Sequence, residues 1–157
     1  MSAASWNAGA VDEAGLRDIA TRLAAAAGEG GVLYLEGDLG AGKTTFARAL
    51  LASLGVGERV KSPTYSLIES YRAGVLDAHH LDLYRIADAG ELEWLGLGDL
   101  WTSGALVLIE WPERGGAALP RADVVMHFRH AGDRREVVAE PRSPRGETLV
   151  RALAHGV

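Results

Sequence analysis

Leu16, Ile19, Ala20, Leu23, Ala24 and Ala27 fall three and four residues apart, the spacing that gathers apolar side chains on one face of a helix. Asp12 is a residue type that caps helices and Gly28 one that ends them, so the pattern predicts a helix from Glu13 to Ala27. The period then changes. Gly31 to Glu36 is a short apolar run bounded by glycine and reads as a buried strand. Helical spacing returns from Thr44 to Leu54, with Gly55 as its stop. Thr64 to Tyr71 and Val75 to Leu83 are β-rich and separated by Ala73-Gly74, which predicts a hairpin. Asp88 to Trp101 reads as short helical pieces broken by Gly96 and Gly98. Ala105 to Trp111 is the most hydrophobic strand candidate and is stopped by Pro112. Asp123 to His130 and Arg135 to Glu140 flank a turn at Ala131-Gly132-Asp133-Arg134, and Glu147 to Ala154 suggests a last helix. Helices alternating with two fully apolar strands argue for an α/β sheet that carries some antiparallel pairs.

The segment joining the first buried strand to the second helix has chemistry of its own. Gly37-Asp38-Leu39-Gly40-Ala41-Gly42-Lys43-Thr44 matches G-x-x-x-x-G-K-[ST], in the strand–loop–helix setting that this pattern requires. Glycines there let successive backbone N–H groups curl toward an anion, and the following helix directs its positive end at the same place. Lys43 would reach the β- and γ-phosphates of a nucleotide, and Thr44 would offer a hydroxyl to Mg²⁺. The chain has 16 basic residues, of which only Lys43 and Lys61 are lysines. A compact ammonium suits such a cradle better than the wide fork of arginine.

A second acid for the cation is normally found at the end of a buried strand. Glu110 closes the apolar run Ala105 to Ile109, a Walker B pattern with Glu in place of Asp. The chain has one asparagine, Asn7, and so lacks the Asn-Lys-x-Asp signature with which guanine-specific proteins read their base; ATP is the preferred nucleotide. It also has no glutamine to position water, which leaves Asp82, Glu110 and Glu113 as candidates for that task. In His80-Leu81-Asp82-Leu83-Tyr84-Arg85, strand alternation sets His80 and Asp82 on one side and His79 on the other. That pair reads as catalytic, as part of a metal site or as purely structural. Pro63 holds Ser62 extended, and the hydroxyls of Ser62, Thr64 and Ser66 are disposed to meet phosphate, water or Mg²⁺, or to serve an ordinary strand start.

Composition narrows the setting. A chain of 157 residues, 48% hydrophobic, has the size of one domain with one core, spanning 1–157. Without cysteine there are no disulfides or thiolate metal sites. No basic-then-apolar leader and no run of 18 apolar residues occurs, so a cytoplasmic protein without membrane contact is expected. The net charge of −5 argues against autonomous binding to a phosphate backbone. Residues 114–157, with eight basic against five acidic groups, form either a nucleotide or partner contact or a solvated face.

Five blocks, EGDLGAGKTT, KSPTYSLIESY, HLDLYRIAD, ELEWLGLGDLW and LIEWPER, resemble in order and spacing the bacterial TsaE (YjeE) family, over about Asp12 to Asp123. The resemblance implies a P-loop NTPase-like three-layer α/β fold with a mixed central sheet. It implies an ATPase, weak alone, that serves the threonylcarbamoyladenosine modification of tRNAs reading codons that begin with A. The partners implied are TsaB and TsaD, with tRNA met only through them. Carried over by position, the family's phosphate loop falls on Gly37 to Thr45, including Asp38, Gly40, Ala41, Gly42, Lys43, Thr44 and Thr45. Its metal-binding glutamate falls on Glu110, its motif aspartate on Asp82, its switch-like threonine on Thr64 and its nucleotide-side tryptophan on Trp111. Glu13 is implied near the base, while Arg134 and Arg135 lie where the match is loose. Two other readings remain at this level, a small-molecule P-loop kinase and a non-catalytic nucleotide sensor.

Overall fold

The structure is a computed structural model, and it describes residues 5–56, 68–86, 88, 90–94 and 104–155. Seven strands form one sheet: β1 (Trp6–Val11), β2 (Gly31–Gly37), β3 (Ile68–Ala73), β4 (Leu76–Asp82), β5 (Leu106–Glu110), β6 (Val124–Ala131) and β7 (Arg134–Pro141). Helices α1 (Glu13–Ala27), α2 (Lys43–Ser53), α3 (Gly90–Trp94) and α4 (Pro144–His155) complete the frame. The sheet order is β1-β7-β6-β2-β5-β4-β3. The four middle strands, β6, β2, β5 and β4, run parallel, and antiparallel pairs close the sheet on both sides. This is the mixed α/β sheet that the sequence predicts.

Alternation along the middle strands divides the core into two layers. Leu33 and Leu35 of β2 and Leu106 and Leu108 of β5 pack under α1, α2 and α4, together with Leu23, Phe46, Leu50 and Leu153. Val107 and Ile109 point the other way, against Leu83, Ile86 and Leu92 of the segment that carries α3. The near-continuous apolar character of β5 follows from burial on both faces. Among the described residues no helix is long and apolar enough to cross a membrane.

Several boundaries differ from the sequence reading for identifiable reasons. Asp12 caps α1 as expected, its carboxylate accepting the Gly15 N–H at 2.8 Å. β1 has no counterpart in the prediction: its pattern is interrupted by Gly9, and it exists through pairing with β7 across a register shift between Asn7 and Gly9. α4 opens at Pro144, a turn before Glu147, because Ser143 accepts the Gly146 N–H at 2.9 Å as a cap and proline suits the first helical position. β5 ends at Glu110, since Trp111 adopts φ 59° and ψ 50° to launch the 3₁₀ turn Pro112–Arg114. The β6–β7 hairpin forms as predicted around Gly132-Asp133. The strand start at Thr64 to Leu67 and most of the stretch after Trp94 lie outside the described residues.

Opposite the carboxyl ends of the parallel strands, a polar staple fastens three segments. Asp123 accepts from the Val32 N–H at 2.8 Å and from the Ser143 hydroxyl at 2.6 Å. Arg145 donates to the carbonyls of Ala26 and Gly30 at 2.5–2.9 Å. The staple fixes the starts of β2, β6 and α4 against one another.

Candidate functional site

The glycine loop leaves β2 at its carboxyl end and runs into α2. At Gly37, φ is 154° and a Cβ would stand 2.3 Å from the Phe128 carbonyl oxygen, so only glycine lets β2 lie this close to β6 as the loop begins. At Gly42, φ is 103° and a Cβ would stand 2.8 Å from Leu16 Cδ1, so α1 packs directly on the helix start. The Ala41 N–H donates to the Asp38 carbonyl at 3.1 Å, which closes the loop on itself. Its outer arm is held by the β6–β7 hairpin: Arg135 Nε donates to the Gly40 carbonyl and His130 Nε2 meets that of Leu39, each at 3.2 Å. The first N–H groups of α2 have no partner within their own helix and open toward the loop. That arrangement suits an anion in geometry and in charge.

Lys43 and Thr44 are the first residues of α2, and their side chains meet groups at the carboxyl ends of β2 and β5. The Lys43 ammonium donates to the Gly37 carbonyl at 2.5 Å and lies 3.6 Å from the centre of the Trp111 ring. Burial holds it below the usual lysine range, against the upward pull of Glu110, Glu113, Asp82 and Asp38. The Thr44 hydroxyl sits 2.8 and 2.9 Å from the two carboxylate oxygens of Glu110. Glu110 Oε2 also accepts from His80 Nε2 at 2.6 Å, and both residues are buried. Parallel pairing of β4 with β5 places Asp82 opposite Glu110. Its carboxylate accepts the Tyr84 N–H at 3.1 Å and shapes the turn that follows.

Apart from His80, these side chains border a cleft of about 290 Å³. One wall is the β1–α1 junction with Asp12, Glu13 and Leu16; another is the loop with Leu39, Gly40 and Gly42. The floor carries Lys43, Thr44, Asp82 and Glu110, and Tyr84, Trp111, Asp133 and Arg135 stand around it. Tyr84 packs on Trp111 with ring centroids 5.1 Å apart, and Arg114 lies 5.6 and 5.8 Å from the two rings. A basic cradle beside a hydroxyl–carboxylate pair suits a polyanion carrying a hard cation.

Against known proteins, residues 10–137 match the family model described as threonylcarbamoyl adenosine biosynthesis protein TsaE. The chain belongs to the TsaE family. It is 40% identical over 137 residues to the tRNA threonylcarbamoyladenosine biosynthesis protein TsaE of Bacillus subtilis, covering 87% of this chain and 85% of that one. Its identity to the TsaE of Haemophilus influenzae is also 40%, over 124 residues, covering 79% and 78%. The crystal structure of Bacillus subtilis YdiB superposes with a TM-score of 0.76 at 33% identity, covering 99% of this chain and 97% of that one.

Of the site residues expected from the TsaE resemblance, Glu13, Gly40, Gly42, Lys43, Thr44, Thr45, Asp82, Glu110 and Trp111 line the one cleft. Asp38 and Ala41 belong to the loop without lining the cleft, Asp38 exposed and Ala41 buried. Thr64, with Ser62 and Ser66, lies outside the described residues. The metal reading of His80 and Asp82 gains no third ligand: among the described residues no group of three or more His, Asp or Glu side chains could hold an ion. His80 instead holds Glu110. Tyr84, Leu16 and Asp133 also line the cleft and are not among the site residues read from the sequence; Tyr84 stands inside the HLDLYR block, where its place near Asp82 is the available signal.

Proposed function

We propose that the chain binds ATP with Mg²⁺ in this cleft and hydrolyses it slowly, in the service of threonylcarbamoyladenosine biosynthesis on tRNA with a TsaB–TsaD pair. The observation that carries the reading is the contact of Thr44 with both oxygens of Glu110, directly beside Lys43 at the glycine loop. A hydroxyl and a carboxylate are hard oxygen donors suited to Mg²⁺, which fills its remaining positions with phosphate and water. Thr44 and Glu110 would hold the ion, which when bound neutralises charge on the phosphate oxygens.

The protein's own groups supply the rest. The loop amides and the start of α2 bind the phosphates, and Lys43 leaves the Gly37 carbonyl to reach the terminal ones. Asp82 spends one acceptor on the Tyr84 N–H and retains others to orient a water. That water attacks the γ-phosphorus, the bond to the ADP oxygen breaks, and ADP and phosphate leave. The wall at Glu13 and Leu16 receives the base. A cytoplasmic location goes with this role, and tRNA is met through the partners.

The test is reconstitution of tRNA modification from this chain, TsaB, TsaD, tRNA and a supplied activated threonylcarbamoyl donor. Modification should require the chain and ATP, and Glu110→Gln should abolish it. The partner pair should raise phosphate release well above that of the chain alone. Sustained modification with a non-hydrolysable ATP analogue would overturn hydrolysis in favour of a nucleotide sensor.

A further inference from the structure

We propose that His80 is a positioning residue for the divalent cation: it fixes the Glu110 carboxylate and thereby sets the metal-dependent part of nucleotide affinity. This rests on the reading of the cleft as an ATP–Mg²⁺ site and names a residue outside the cleft that controls it.

The observations are geometric. His80 and Glu110 are 4% and 3% exposed, and their contact of 2.6 Å is a short N–H···O hydrogen bond. Among the described residues, Glu110 has two side-chain hydrogen-bond partners, the Thr44 hydroxyl and the His80 ring. Thr44 is itself assigned to the cation, so its hydroxyl must share its oxygen with the metal once the site fills. His80 reaches Glu110 Oε2 without lining the cleft, so its bond would not have to be given up when the site fills. The ring can donate from Nε2 whether neutral or protonated, so the role does not depend on a titration. Outer partners of this kind hold a ligating carboxylate in one orientation, and losing one costs about ten-fold or more in metal affinity.

The neighbouring histidine provides a control built into the same strand. His79 is also buried, but it faces the opposite side of the sheet, where its Nδ1 meets the Ser70 hydroxyl at 2.8 Å. Loss of His79 would disturb packing without reaching Glu110.

The experiment compares His80→Gln and His80→Asn in the full chain, with His79→Asn alongside. The glutamine amide can donate from near the position of Nε2, whereas the shorter asparagine cannot reach it. Mn²⁺ affinity of the ATP-bound protein is read by electron paramagnetic resonance, and ATP affinity is read separately in EDTA. The expected result is Mn²⁺ binding weakened about ten-fold in His80→Asn, largely restored in His80→Gln and unchanged in His79→Asn, with metal-free ATP affinity equal in all. Equal Mn²⁺ affinity in the two folded His80 variants and the parent chain would overturn the proposal, as would equal losses in ATP binding with and without metal. Failure of the parent chain to bind ATP or Mn²⁺ would instead overturn the ATP–Mg²⁺ reading of the cleft.

Discussion

The two ends of the parallel strands use polar side chains in opposite ways. At the amino end of β2, Asp123 and Arg145 bond to main-chain groups of Val32, Ala26 and Gly30, so each contact fixes a segment of chain. At the carboxyl end, Thr44, Glu110 and His80 bond to one another, and Lys43 rests on a carbonyl and a ring. A side chain tied to a backbone amide cannot leave without orphaning it; one tied to another side chain can exchange its partner for a ligand. The first arrangement suits stability and the second suits binding.

Breaking the carboxyl end should therefore cost activity before stability. Lys43→Met removes the ammonium while keeping most of the volume. Phosphate release, with or without partners, should fall about 100-fold, the cost of losing a charge-stabilising donor. Its urea midpoint should stay near that of the parent, because a cation that burial already disfavours has been removed. A large drop in midpoint would contradict the division between the two ends.

The amino end should show the reverse. Asp123→Ala orphans the Val32 N–H and frees the Ser143 hydroxyl, and should destabilise the chain by about 2 kcal/mol in urea titrations. The ATP affinity of the protein that remains folded should match the parent. A smaller effect is expected where the two kinds of contact meet. Arg135 is a cleft residue, yet its bond is to the Gly40 carbonyl of the loop. Arg135→Ala should weaken ATP binding roughly five-fold, equivalent to about 1 kcal/mol, with little change in unfolding. Isothermal titration beside thermal unfolding separates the two effects.

The sequence made the periodic and punctuated parts of this molecule legible. α1 with its Asp12 cap, the glycine loop between a strand and a helix, and the hairpin at Gly132-Asp133 are each written in local chemistry. So is the place of Glu110 at the end of a buried strand, because it closes an apolar run. What escaped depends on distant partners. β1 has no pattern of its own and needs β7; the partner of His80 lies 30 positions away on another strand, so strand alternation gave its side but not its role. The early start of α4 was written in Ser143-Pro144, yet helical periodicity shows itself only further on, at Leu149, Val150 and Leu153. The bend at Trp111 was concealed by its likeness to a last strand residue before Pro112.

That bend has a consequence for affinity. By turning at φ 59°, Trp111 brings its indole under the Lys43 ammonium instead of continuing β5. An arriving phosphate thus meets a cation already occupied, in a contact of about 1–2 kcal/mol, and gains only the difference between the two. On the proposed reading the ring would be a reversible seat to which the lysine returns when phosphate departs, and in this way it would loosen the hold on a spent nucleotide as well as on a fresh one.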